Sequence, residues 1–240
     1  ESVDTDSDGI GNNTDTDDDG DGIVDSFDKD PLNALSKIYL INSSTTLSSD
    51  INFVSIGAVE IEVTNNAVLT IQSDITFPTV NINTQSQVIL NSGTITSPRF
   101  KGEGNLIINN ATLYSTEINV NTTQTNGHLR TNSNLNLPSG FTQTGGTLHL
   151  NITNSTNSNN LVLQGNIQLN GNLNITKDSD YVPIPGRVFQ LIQLNGHTIS
   201  GSTTVDVPEL LKSYNWNTNP LLIDGSTRVI FSGHPAIGLE

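Results

Sequence analysis

Val59-Glu60-Ile61-Glu62-Val63 alternates apolar and charged side chains without a break, and the same period of two returns in Leu135-Asn136-Leu137, Leu148-His149-Leu150-Asn151-Ile152 and Leu173-Asn174-Ile175. That period is the mark of strands with one buried face. Turn-forming pairs interrupt the runs at Asn65-Asn66, Ser92-Gly93, Lys101-Gly102, Asn126-Gly127, Gly145-Gly146 and Gly171-Asn172, which leaves little room for helix. The chain is expected to be all-β.

Outward from that stretch, strand-forming segments recur at residues 59–77, 80–96, 106–120, 129–141 and 148–169, a rhythm of about twenty residues. Short strands at even spacing fit a sandwich or barrel, or a solenoid in which each coil stacks on the last. Inward-facing aliphatics dominate, large aromatics are scarce, and Asn recurs beside strand ends, where its amide can ladder between coils. These features favour a parallel β-helix over a sandwich.

A solenoid has two open ends, and each needs a cap. Residues 181–230 change style, with Pro183, Pro185, Pro208 and Pro220, the dense run Val188-Phe189-Gln190-Leu191-Ile192, and the only tryptophan, Trp216. Together with Ile199-Ser-Gly-Ser, Tyr214-Asn-Trp-Asn and Leu221-Leu-Ile-Asp-Gly, this region resembles the terminal cap of β-helical bacterial surface and passenger proteins. Trp216 is expected to pack over the last coil rather than stack on a sugar. The expected organisation is a distinct N-terminal segment at 1–33, a β-solenoid at 34–176 and a C-terminal β cap at 177–240.

The other end carries most of the charge. Of 24 acidic side chains in a chain of net charge −15, 12 lie in residues 1–30 and face only Lys29, which leaves the remainder nearly neutral. They fall in two copies of one pattern: Asp4, Asp6, Asp8, Gly9, Ile10, Asn12, Asp15, and thirteen residues later Asp17, Asp19, Asp21, Gly22, Ile23, Asp25, Asp28. A solvated acidic tail has no use for that register. Alternate carboxylates, a glycine for the sharp turn, a backbone carbonyl after it and a carboxylate at position twelve suit a hard, oxygen-seeking cation. Only Thr16 separates the loops, so the helices of a helix-loop-helix hand have no room.

These residues resemble thrombospondin type 3 repeats, in which tandem aspartate loops wrap a string of calcium ions. The resemblance implies that Asp4, Asp6, Asp8, Ile10, Asn12 and Asp15 hold one Ca2+ ion. By the same likeness Asp17, Asp19, Asp21, Ile23, Asp25 and Asp28 hold a second, with Asp18 and Asp30 as bridges or spectators. Animal members staple such loops with cysteines, whereas this chain has none. Metal is then the clamp, and folding of the segment is expected to depend on it. Weak affinity, on the order of 10⁻⁴ to 10⁻³ M, suffices in a calcium-rich extracellular medium or at a cell surface.

The acidic balance argues against nucleic acid and anionic membrane as partners. No apolar run is long enough to span a bilayer. The start without Met and the Leu239-Glu240 ending suggest a piece of a larger protein, whose other domains are expected partners along with a glycan or a cell-surface or matrix component.

Catalysis needs positioned acids, bases or nucleophiles. Arg99, Lys101 and Glu103 alternate and could share a strand face, and Glu60 and Glu62 form a second same-face pair, but solvated surface is the default for both. His128, His149, His197 and His234 lack zinc-motif spacing, and Asn-x-Ser/Thr triplets such as those at Asn110, Asn151 and Asn174 follow from composition. The expected function is non-enzymatic: a calcium-rigidified segment leading into a solenoid used as a stalk or adhesive surface. The alternative is a carbohydrate-active module on the solenoid flank near Arg99 and Lys101, against which only 12 aromatic residues weigh. Ice binding is a third class, but regular Thr-x-Thr ladders at coil spacing are absent.

Overall fold

The structure is a computed structural model that describes residues 3–55, 57–131, 133–138, 140–153, 161–211 and 213–231. Within them the chain is almost entirely strand and turn, with one 3-10 turn at Asp25–Phe27 and one short helix at Leu221–Asp224. A 14-stranded sheet and an 8-stranded sheet contain only parallel pairs, and a 3-stranded antiparallel sheet lies near the C-terminal end.

Each strand pairs with one that follows after a full excursion of chain. Ile61 sits beside Val80, Val80 beside Phe100, and Phe100 beside Ile118. On the 8-stranded sheet the equivalent row runs Ile75, Ile95, Leu113, Leu129, Leu148, Leu173. All of these side chains are buried, so the period-two aliphatics form continuous interior rows. The antiparallel sandwich has no counterpart in the two large sheets. Their topology is compatible with the expected β-helix.

Several polar groups inside and between the rows are paired. Gln124 and Gln143, both fully buried, donate to turn carbonyls at Gly127 and Gly146 and to the next row at Thr147 and Asn172. Asparagine amides ladder just past strand ends, Asn109 to Asn91 (3.1 Å) and Asn126 to Asn110 (2.7 Å), and within paired strands, Asn121 to Asn105 (2.7 Å). Each such bond contributes about 1 kcal/mol net and fixes register between neighbouring strands.

Parallel pairing continues past residue 176. Ile192–Gln193, Ile199–Ser200 and Thr204–Asp206 extend the large sheets beyond the proline-rich 183–185 stretch. The strands Val188–Gln190, Tyr214–Asn217 and Ser226–Phe231 form the separate antiparallel sheet, the first of them preceding Ile192–Gln193 in the chain. Trp216 donates from Nε1 to the Pro208 carbonyl (2.8 Å), packs against Phe189 and lies half-buried on the core. Gly225 accepts the N–H groups of Leu191 and Ile192, both at 3.0 Å. Its φ is 81°, and a Cβ there would lie 1.8 Å from the Ile192 carbonyl oxygen, so only glycine fits.

Candidate metal centre

The two aspartate loops fold alike. Gly9 and Gly22 take left-handed φ of 98° and 96° and donate their N–H to Oδ2 of Asp4 (3.1 Å) and Asp17 (3.0 Å). Asp8 and Asp21 donate to Oδ1 of Asp6 and Asp19, both at 3.1 Å. Ile10 and Ile23 donate to Oδ1 of Asp8 (2.7 Å) and Asp21 (2.8 Å). Six-residue turns thus aim alternate carboxylates inward, and one oxygen from each of Asp4, Asp6 and Asp8 lies within 4.8 Å of the others, as do those of Asp17, Asp19 and Asp21.

The ninth and twelfth positions do more than the sequence suggests. Oδ1 of Asn12 accepts the Thr5 N–H (3.1 Å), and Oδ1 of Asp25 accepts the Asp18 N–H (2.9 Å), so both tie the loop back on itself. Oδ1 of Asp15 receives the Asp17 N–H and Oδ1 of Asp28 the Asp30 N–H, which sets the exit from each loop.

Solvent exposure separates the two copies. Asp4 and Asp8 are exposed and Ile10 is 46% exposed, whereas Asp19, Asp21 and Asp28 are buried and Ile23 is 2% exposed within the main hydrophobic cluster. The second loop is held against the first parallel strands: the Lys37 ammonium donates to the Asp21 carbonyl (2.8 Å), Lys29 pairs with Glu62, and Asp28 bridges to Tyr39.

Five carboxylate oxygens in this segment are buried without any hydrogen-bond partner: Asp17 Oδ1, Asp18 Oδ1, Asp19 Oδ2, Asp21 Oδ2 and Asp28 Oδ2. Burial, reinforced by the carboxylates of Asp21 and Asp19, pushes the Asp28 carboxyl above its usual range. Burial likewise raises Asp18, whose neighbours are Asp25, Asp15, Asp19 and Asp6, so this residue sits between the two loops. At Asp6 the hydrogen bond from Asp8 lowers the carboxyl, but burial and the charges of Asp8, Asp15 and Asp4 outweigh it. Asp30 is exposed. A cluster of oxygens that neither water nor donors reach fits a hard divalent cation.

The catalytic alternatives fare differently. Arg99 pairs with Glu117 (2.6 Å) and Lys101 with Glu60 (2.7 Å), while Glu103 accepts from Thr84 beyond a break in register after Lys101. Glu62 is pushed up by burial, but hydrogen bonds from Lys29 and Asn83 prevail and hold it below its ordinary value, opposite to the raised value of a general acid. His128 and His149, 21 residues apart, meet with Nδ1 and Nε2 3.0 Å from each other, a contact that spacing alone does not reveal. His197 lies in a turn closed by Leu194, and His234 falls outside the described residues. Asn110 and Asn151 are engaged by Asn126 and Asp178, and Asn174 lies beside His149.

Comparison with family models, curated proteins and solved structures found no match to the chain.

Proposed function

We propose that residues 4–28 bind two or more Ca2+ ions and that the chain is a non-catalytic structural or adhesive segment of a larger secreted or surface-anchored bacterial protein, built as a calcium-stabilised parallel β-helix. The observation that carries this reading is the set of five buried, unpartnered carboxylate oxygens in the second loop and at its junction with the first. Leaving one buried acceptor unsatisfied costs about 1–3 kcal/mol, and more when it is charged. Several together, with mutual repulsion added, call for a cation. Calcium suits them because it takes six to eight oxygens in flexible geometry, and the donors on offer are carboxylates and backbone carbonyls.

In this reading the thrombospondin type 3 resemblance supplies the ligand set: Asp4, Asp6, Asp8, Ile10, Asn12 and Asp15 for one ion, and Asp17, Asp19, Asp21, Ile23, Asp25 and Asp28 for another. The bound ions neutralise the segment and let the second loop close the first open edge of the solenoid, since its Ile23 is already part of the core. A site this dependent on abundant calcium belongs outside the cell or at its surface. Among the described residues no helix is long and apolar enough to cross a membrane.

The test is thermal unfolding of the whole chain in millimolar Ca2+ and in excess chelator. The reading expects a higher midpoint with Ca2+, reversed by chelation and not reproduced by Mg2+ at equal concentration; identical curves would contradict it.

A further inference from the structure

Among the described residues, Arg99 and Lys101 on the 14-stranded sheet are matched by Glu117 and Glu60, and Lys29, in the segment before its first strand, by Glu62. The 8-stranded sheet presents a different surface. Its register sets Tyr114 beside Arg130, places His149 next by extension of the Leu129–Leu148 pairing, and continues to Asn174 and then Asp206. These positions alternate with the buried Leu113, Leu129, Leu148 and Leu173, so they share the outer face. At about 4.8 Å per strand, the row from Tyr114 to Asn174 is about 14 Å long.

A cavity of about 260 Å³ opens on this row, lined by Tyr114, Arg130, His149, Asn151 and Thr176 among others, with no acidic residue in its lining. Arg130 is half-buried and makes none of the ion pairs found among the described residues. His149 is 9% exposed, its Nε2 is engaged by His128, and its Nδ1 is buried without a partner. The chain's own groups therefore leave the cavity electrostatically and chemically incomplete. Arg130 is the one charged side chain in that lining; Asp178, bonded to Asn151, and Asp206, paired with Asn174, lie at its border.

We propose that this face, centred on Arg130, binds a carboxylate-bearing sugar chain, an acidic glycan of the uronate class. The planar donor fork of arginine matches a carboxylate in two-point geometry. The Tyr114 ring supplies an apolar platform and Asn174 a neutral donor and acceptor for hydroxyl groups, while Asn151 and Thr176, bonded to Asp178 and to each other, form a fixed polar edge. The straight row across parallel strands suits a polymer laid along it. The inference names a ligand class for the adhesive surface proposed above and rests on that reading only for the extracellular setting, not on the metal.

The experiment is calorimetric titration of the full chain, with Ca2+ and again in chelator, using trigalacturonate, its methyl ester and inorganic phosphate as probes. Sub-millimolar binding of trigalacturonate is expected, with at least tenfold weaker binding of the ester and of phosphate. Arg130→Ala should lose tenfold or more, and Arg130→Lys should recover only part. Arg99→Ala, whose guanidinium already has a partner, should bind as the parent does. Unchanged thermal midpoints in the variants keep the comparison about binding rather than folding. Absence of uronate binding at millimolar concentration, equal binding of phosphate, or an Arg130→Ala variant that binds normally overturns the proposal. Calcium uptake measured on the same samples reports separately on the metal reading, so either can fail alone.

Discussion

Phe27 stacks face to face on Tyr39, their ring centroids 5.1 Å apart and their planes 9° from parallel. Tyr39 in turn meets Phe53 edge-on at 5.0 Å, and Phe53 stacks on Phe77 at 5.3 Å. This aromatic ladder joins the end of the second aspartate loop to the first strands of the parallel body. Such pairs contribute about 0.5–1.5 kcal/mol each beyond their area. Phe27→Ala should therefore weaken docking of the loop by about 1–2 kcal/mol. Hydrogen exchange in residues 23–41 should speed up, while exchange around residues 100–150 stays as in the parent.

The two isoleucines at equivalent loop positions should respond unequally to truncation. Ile23 is 2% exposed and Ile10 is 46% exposed. Ile23→Ala should cost about 2–4 kcal/mol in denaturant unfolding with calcium present, whereas Ile10→Ala should stay within about 0.5 kcal/mol.

Asp19→Asn should change sign with the metal. Asp19 is buried and its Oδ2 has no partner, so without calcium the amide relieves an unpaired charge and stabilises by about 1 kcal/mol. With calcium the same change removes a charged ligand and should weaken uptake about tenfold or more. Unfolding midpoints measured in Ca2+ and in chelator make the comparison.

Acid should destabilise the body through His149. Burial first, then the charges of Arg130 and His128, lower its pKa from 6.5 to about 4. The unfolded chain takes up the proton as pH falls below 6.5, but the folded chain resists until about 4, so stability drops across that window as pH falls. Each pH unit between the two values is worth about 1.4 kcal/mol, so the loss reaches roughly 3 kcal/mol at most. His149→Gln, measured between pH 7 and 4 in saturating Ca2+, should lack that component of the slope.

Gly225→Ala should open the C-terminal end. The added carbon meets the Ile192 carbonyl, and the backbone is left-handed, so a cost of about 2–3 kcal/mol is expected. A lower thermal midpoint, with calcium affinity untouched at the far end, is the result to look for.

Strand content and the interior rows were legible because a period of two is a local property: Ile61 and Val63 declare their face without knowledge of any partner. The loops were legible for the same reason, since Gly9 and Gly22 need left-handed backbone wherever the chain goes next. What local sequence does not encode is the neighbour. Ile10 and Ile23 occupy equal positions in equal motifs, and only contact with the body makes one core and the other surface. Lateral partners were hidden because the offset between paired strands varies, from 16 residues between Thr112 and His128 to 32 between Asn172 and Thr204. Arg130, Tyr114 and His149 therefore assemble only once the register is known. Alternation placed Arg99 and Lys101 on one face, but the irregular register after Lys101 takes Glu103 out of that series. Pro183 and Pro185 read as the end of the repeating region, yet they lie in an excursion between strands that go on pairing in parallel.

Isothermal titration of the whole chain with Ca2+, started from fully chelated protein at neutral pH, tests the central claim most directly. Uptake of at least two ions in the micromolar to millimolar range, with one step weakened about tenfold or more by Asp19→Asn and the other by Asp6→Asn, is the predicted result. No heat and no uptake at ten millimolar Ca2+ would contradict it, because the buried oxygens of the second loop would then have to persist unpaired.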